Sequence, residues 1–265
     1  MQVFTDDGAR IDARIYERGH ERAVVLIHGF PFSHAVWEKQ ADVLAQTSCV
    51  VAPDLRGAGN SSAPDGPYLM ETLAADVAAL LDAVGIERAA LIGHSMGGYV
   101  ALAFARMFTE RVTHLALVAS RLREDTAKEA AARRELAERV EREGSVEPVV
   151  ATYFPRLFSP ETRANHPDAI DRAGAIARQN SAAGMAATLR GMALRAASED
   201  IAEDLDVPML MIAGGRDQVV PIAEARADAG RFARGRLVAC GESGHLPMME
   251  EPSRVSGALA AWLSE

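Results

Sequence analysis

Six short apolar runs punctuate this chain, each about the length of a β-strand, and helix-length segments separate most of them. The runs are "AVVLIHG" (23–29), "SCVVAPD" (48–54), "AALIGHS" (89–95), "VTHLALVAS" (112–120), "VPMLMIAGG" (207–215) and "GRLVACG" (235–241). Several are apolar at successive positions rather than at every second one, so both faces of those strands must be covered. "AVWEKQADVLAQ", "LMETLAADVAALLDAVG", "MGGYVALAFARMF" and "AEARADAGRFA" read as the covering helices. This alternation predicts an α/β fold with a mostly parallel central sheet and helices on both faces. The opening segment alternates polar and apolar residues on either side of Asp6-Asp7-Gly8, the pattern of an antiparallel hairpin on the sheet edge.

The rhythm breaks between residues 121 and 206. "REDTAKEAAARRELAERVEREG" (123–144) reads as a charged helix with Glu129/Arg133, Glu135/Arg139 and Glu138/Arg142 at i,i+4 spacing and one apolar stripe of Ala132, Leu136 and Val140. A further helical stretch, "AAGMAATLRGMALRAAS", covers 182–198. Helix inserted between two sheet strands predicts a lid. The expected organisation is a core of residues 1–120 and 207–265 with a helical cap at 121–206.

One of the six runs ends in an unusual way. After "AALI" the chain reads Gly93-His94-Ser95-Met96-Gly97 and then continues as a small-residue helix. Small residues around a serine, between strand and helix, fit the G-x-S-x-G turn that holds one hydroxyl out of the fold. A serine hydroxyl needs a base to take its proton, and the base needs a third group to orient it. Downstream, "GGRDQVVP" places Asp217 just beyond one strand, and "GESGHLPMMEEP" places His245 just beyond the last. All three would project from the carboxyl edge of the sheet, where α/β proteins build their sites. Glu124 and Asp125 are rival acids that read better as first-turn helix residues, and His94 reads as a local packing or hydrogen-bonding residue. Acyl transfer also needs donors for a developing oxyanion. The backbone N–H of Met96 is one candidate, and that of Phe30, in "HGFP" after the first strand, is the other.

With these pieces assembled, the chain resembles the α/β-hydrolase superfamily over nearly its full length. The resemblance rests on "HGF" (28–30), "DLRGAGNS" (54–61), "GHSMGG" (93–98), "GGRDQVVP" and "SGHLPMMEEP", and it is nearest to the single-domain bacterial members with a helical cap. It implies a Ser95/Asp217/His245 triad, an oxyanion hole from the Phe30 and Met96 amides, and a substrate pocket under the cap. It also implies that Cys49 and Cys240 lie on separated strands and form no disulfide. Dehalogenases and epoxide hydrolases of this superfamily carry aspartate where Ser95 stands, so their chemistry is disfavoured. The expected activity is hydrolysis of a small carboxylic ester or lactone through an acyl-enzyme, as in carboxylesterases and enol-lactonases. A triad-dependent lyase or carbon–carbon hydrolase, and a slow-turnover receptor for a small ligand, are the alternatives.

Trp37, Met185, Leu189, Val219 and Leu246 are the candidate pocket residues, and Arg190 and Arg195 are candidate anchors for an anionic substrate. The sequence asks for no cofactor, and two scattered cysteines make no metal site. A formal charge of −9 argues against nucleic acid or an anionic membrane as partner. No basic, apolar leader and no membrane-length apolar run is evident, so a cytoplasmic location is expected. The expected partner is the small-molecule substrate, with a homodimer left open.

Overall fold

The computed structural model describes residues 1–17 and 19–265. Eight strands form one sheet: β1 (Gln2–Phe4), β2 (Arg10–Tyr16), β3 (Ala23–Ile27), β4 (Cys49–Asp54), β5 (Ala89–His94), β6 (Val112–Val118), β7 (Met209–Gly214) and β8 (Gly235–Cys240). Their order is β1-β2-β4-β3-β5-β6-β7-β8. β2 runs antiparallel to both its neighbours, and every other adjacent pair is parallel. The hairpin and the six apolar runs therefore account for all eight strands.

The continuous apolar runs follow from burial on both faces. Val25, Ile27, Leu91, Leu115, Leu117, Met209 and Met211 face one core. That core is closed by α2 (Met70–Ala83), α3 (Met96–Met107) and α10 (Ile222–Ala229). The residues between them, including Val24, Leu26, Ile92, Ala116, Val118, Leu210 and Ile212, face the other core. α1 (Glu38–Leu44) and α12 (Pro252–Trp262) close that side. The sequence reading does not anticipate α12, whose Val255, Leu259 and Trp262 are buried there.

Between β6 and β7 the chain forms α4 (Ala127–Glu143), α5 (Glu147–Leu157), α6 (Pro160–Asn165), α7 (Pro167–Arg178), α8 (Ala182–Met192) and α9 (Ile201–Asp204). α11 (Pro247–Glu250) precedes α12. α4 starts where Thr126 and Glu129 close a reciprocal capping box, and it stops at Gly144 in the left-handed conformation, φ 58°. Its expected i,i+4 ladder is absent for a local reason. Glu129 is drawn back to Thr126 and to Arg123, and Arg133 turns to Asp125. Arg139 pairs with Glu143 instead of Glu135. The buried stripe runs through Ala130, Leu136, Ala137 and Val140, and Ala132 is exposed. α8 ends at Met192, short of the expected Ser198.

From β3 the chain steps to β4 on one side, then returns past β3 to β5 and runs on to β8. The strand order reverses between β3 and β5, which opens a crevice beyond their carboxyl ends. Residues 28–33 and the turn at Ser95 flank that crevice. Among the described residues no helix is long and apolar enough to cross a membrane.

Candidate active site

β5 ends at His94 and α3 begins at Met96, so Ser95 is the whole connection. Its backbone is strained, with φ 50° and ψ −112°. For a residue with a side chain this costs roughly 1–3 kcal/mol. The surroundings hold it there: Ser95 N–H donates to the Val118 carbonyl at 2.9 Å, and the Ser95 carbonyl accepts from Gly98 N–H at 2.9 Å and Ser120 Oγ at 2.8 Å. The flanking glycines answer to close approach. A Cβ on Gly93 would stand 2.2 Å from the Gly97 carbonyl oxygen, and one on Gly97 would stand 2.2 Å from that of Ile27.

The turn aims the serine at a histidine 150 residues away in sequence. Ser95 Oγ lies 3.0 Å from His245 Nε2. His245 Nδ1 lies 2.8 Å from Asp217 Oδ2. The Asp217 side chain is fully buried, and its other oxygen accepts from Val219 N–H at 2.7 Å and Val220 N–H at 3.0 Å. With Oδ1 occupied by two fixed donors, Oδ2 is left for the imidazole. A carboxylate accepts only, so Nδ1 donates to Asp217, and in that tautomer Nε2 directs its lone pair toward the hydroxyl. The structure thus brings Ser95, His245 and Asp217 into one hydrogen-bonded line. Glu124 and Asp125 are not part of it; Asp125 is buried between Arg133 and Arg195.

The histidine loop is clamped from several directions, and sequence reasoning missed the clamps. His245 N–H donates to the Leu157 carbonyl at the end of α5, at 2.7 Å. Glu250 accepts from Gly244 N–H at 2.9 Å with one oxygen, and from Ser159 N–H at 2.9 Å and Thr162 Oγ1 at 2.6 Å with the other. It therefore ties the loop to the start of α6. The only sequence signal was the acidic pair in "MMEEP", which has no spacing that points to its partners.

His94 is a second clamp rather than a local one. Its Nε2 donates to the His245 carbonyl at 2.9 Å, and its ring sits among Phe32, Trp37 and His245. Complete burial holds its pKa well below the ordinary histidine value, so it remains neutral. His28 is also buried and neutral: its Nδ1 donates to the Gly29 carbonyl at 3.0 Å, and its Nε2 accepts from Leu55 N–H at 3.0 Å.

Met96 is the first residue of α3, so its N–H is one of the helix's orphan donors. The turn after β3 closes through Phe32 N–H to the Gly29 carbonyl at 2.9 Å, which leaves the Phe30 N–H outside that turn's hydrogen bond. Asn180 steadies the same turn: its amide nitrogen donates to the Pro31 carbonyl at 2.7 Å, while its oxygen accepts from Gly59 N–H at 2.6 Å.

The pocket expectations fare unevenly. Trp37, Leu189 and Leu246 are fully buried core side chains, because the segments that carry them pack directly on the sheet cores. Met185 borders a narrow cavity with Phe30 and Met96. Val219 borders a larger one. Arg190 is spent on a surface pair with Glu141, and Arg195 is buried over the ring of Tyr99, its charge centre 3.8 Å from the ring centroid. Cys49 and Cys240 form no disulfide, and burial pushes the Cys240 thiol up to about 12. Among the described residues no cluster of His, Cys, Asp and Glu is placed to hold a metal ion.

Comparison with known proteins gives the same fold. The family profile of the alpha/beta hydrolase fold matches residues 22–252. The chain is 28% identical over 259 residues to 3-oxoadipate enol-lactonase 2 of Acinetobacter baylyi, covering 98% of this chain and 95% of that protein. Among solved structures, a thermophilic esterase from Thermogutta terrifontis superposes with a TM-score of 0.95 at 35% identity, covering 100% of this chain and 98% of the other. The enol-lactonase from Burkholderia xenovorans LB400 superposes with a TM-score of 0.92 at 25% identity over 100% of both chains. By fold and by these likenesses, the chain belongs to the α/β-hydrolase family and is a hydrolase of that fold.

Proposed function

We propose that the protein is a serine hydrolase that cleaves a small carboxylic ester or lactone through an acyl-enzyme on Ser95. The observation that carries this reading is the Ser95–His245–Asp217 line, 3.0 Å and 2.8 Å at its two contacts. In the first half-reaction Ser95 Oγ attacks the carbonyl carbon while His245 Nε2 takes its proton. The tetrahedral oxyanion sits between the amides of Phe30 and Met96. His245 then returns the proton to the leaving oxygen; in a lactone that oxygen stays attached and the ring opens. In the second half, water attacks the acyl-serine, with His245 again acting as base. Asp217 fixes the imidazole tautomer and stabilises the imidazolium in both halves.

The helices between β6 and β7 act as the cap over the site, and the esterase and enol-lactonase relatives favour ester and lactone substrates over other carbonyl chemistry. The reaction needs no cofactor, and the protein works in the cytoplasm on a small molecule. Ser95→Ala tests the reading. It should retain about a thousandth or less of the wild-type kcat on p-nitrophenyl butyrate and on a γ-lactone. Turnover near the wild-type rate in that variant would overturn it, as would an elimination product in place of the acid and alcohol.

A further inference from the structure

Beside the candidate site lies a cavity of about 300 Å³ between the β7 loop and the helices α4 and α5. Val219, two residues beyond Asp217, forms part of its wall, and Leu136 and the ring of Tyr153 add apolar surface. The rest of its character is basic. Arg121, Arg133 and Arg156 line it against a single acid, Glu129. That acid is already engaged, held by Arg123 through both oxygens at 2.8 and 3.0 Å. Among the described residues Arg133 has one carboxylate for its charge, Asp125, and Arg195 shares it at 3.2 Å. The Arg133 and Arg195 side chains are 17% and 4% exposed. Two guanidinium groups thus share one buried carboxylate; Arg195 is further held by the Tyr99 ring and the Arg123 carbonyl, and Arg133 brings the excess positive charge to the cavity wall.

Tyr153 connects this charge to the reaction centre. Its ring packs edge-on against Phe30 with centroids 5.5 Å apart, and its hydroxyl accepts from Arg133 Nη1 at 3.1 Å. An arginine can only donate, so the phenolic proton remains available to a second acceptor. The cavity therefore offers guanidinium and phenol donors beside an apolar stretch of Ala132, Leu136 and Val219.

The geometry points to a substrate that carries a second carboxylate, with the scissile ester or lactone carbonyl at Ser95, a short apolar spacer past Tyr153 and Val219, and the free carboxylate on Arg133. Arg133, not Arg190 or Arg195, is the specificity determinant. This rests on the serine-hydrolase reading above and narrows its substrate class.

The test compares p-nitrophenyl half-esters of succinate, glutarate and adipate with neutral p-nitrophenyl esters of matched length, and a γ-lactone with and without a carboxymethyl arm. The carboxylated member of at least one matched pair should be favoured in kcat/KM. Arg133→Gln should shrink that ratio by about 10- to 100-fold, through KM, as the loss of charge-assisted hydrogen bonds does. Arg133→Lys should recover part of it, and Arg156→Gln, an exposed change that threatens folding little, should shrink it by a smaller factor. Calorimetric titration of Ser95→Ala with glutarate and adipate reads the anion site without the chemistry. Dicarboxylate binding there that Arg133→Gln abolishes supports the inference even if Ser95 proves not to be the nucleophile. No preference in any pair and no dicarboxylate binding would overturn it while leaving esterase activity on neutral esters intact. A preference that survives both Arg133→Gln and Arg156→Gln would overturn the assignment to this cavity.

Discussion

Gly97→Ala adds one methyl group where α3 crosses β3, and the structure sets the size of the response. That carbon would stand 2.2 Å from the Ile27 carbonyl oxygen and 2.7 Å from that of His28. Both oxygens belong to buried backbone at the carboxyl end of β3, so the helix must yield. Relief to 3.0 Å, the shortest approach such a carbon tolerates, moves the start of α3 by about 0.8 Å. Ser95 and Met96 move with it. A displacement of about 1 Å at a reacting group costs on the order of 100-fold in rate. Overpacking of this kind destabilises by about 1–3 kcal/mol. The variant should therefore fold, melt several degrees lower at roughly 2–4 °C per kcal/mol, and lose about 100-fold in kcat with a smaller change in KM. Steady-state kinetics on p-nitrophenyl butyrate and a thermal scan measure both. Gly257→Ala on α12 is the control: nothing lies within 4 Å of its added carbon, and the helix should gain roughly 0.5–1 kcal/mol. A Gly97→Ala enzyme with kcat within twofold of wild type and an unchanged melting point would refute the argument that close packing under the turn positions the serine.

Other perturbations have equally definite outcomes. In Asp217→Asn the amide oxygen keeps the Val219 and Val220 N–H groups, so the amide nitrogen faces His245 and forces the wrong tautomer; kcat should fall about 10⁴-fold with KM little changed in steady-state assays. Glu250→Ala leaves the Gly244 and Ser159 N–H groups without their acceptor, which should cost about 1–3 kcal/mol in thermal or denaturant unfolding, and Glu250→Gln should restore part of it. His28 and His94 have pKa values held below 6.5 by burial, so the unfolded chain binds more protons than the native one in mildly acidic solution. Stability from these two should be fully present above about pH 6.5 and decline as pH falls below it. A plot of melting temperature against pH should show that slope, and His94→Gln should make it shallower.

The fold was legible because its strands carry two-sided burial in their own composition. A run such as "AVVLI" divides its side chains between two cores, and no surface strand would be written that way. The residues of the serine–histidine–aspartate line were legible for a related reason: each sits just beyond a strand, so strand ends fix their addresses. The clamps were not legible. Glu250 and Ser159 stand 91 positions apart, and only the packing of the α5–α6 junction against the β8 loop brings them together. The ion pairs of α4 were misread because helical spacing says which residues are near, not which partner wins. Thr126 recruits Glu129 for the cap, and Asp125 in a buried setting outcompetes it for Arg133. Trp37 looked like a pocket wall because its loop flanks the site, yet its ring turns inward to His94.

The central claim is that one hydroxyl does the covalent chemistry, and stoichiometric labelling tests it most directly. A p-nitrophenyl alkylphosphonate should inactivate the enzyme with release of one p-nitrophenol per chain, and peptide mass analysis should find the phosphonyl group on Ser95. Complete inactivation with the adduct on another residue, or undiminished ester hydrolysis by chains fully labelled at Ser95, would contradict it.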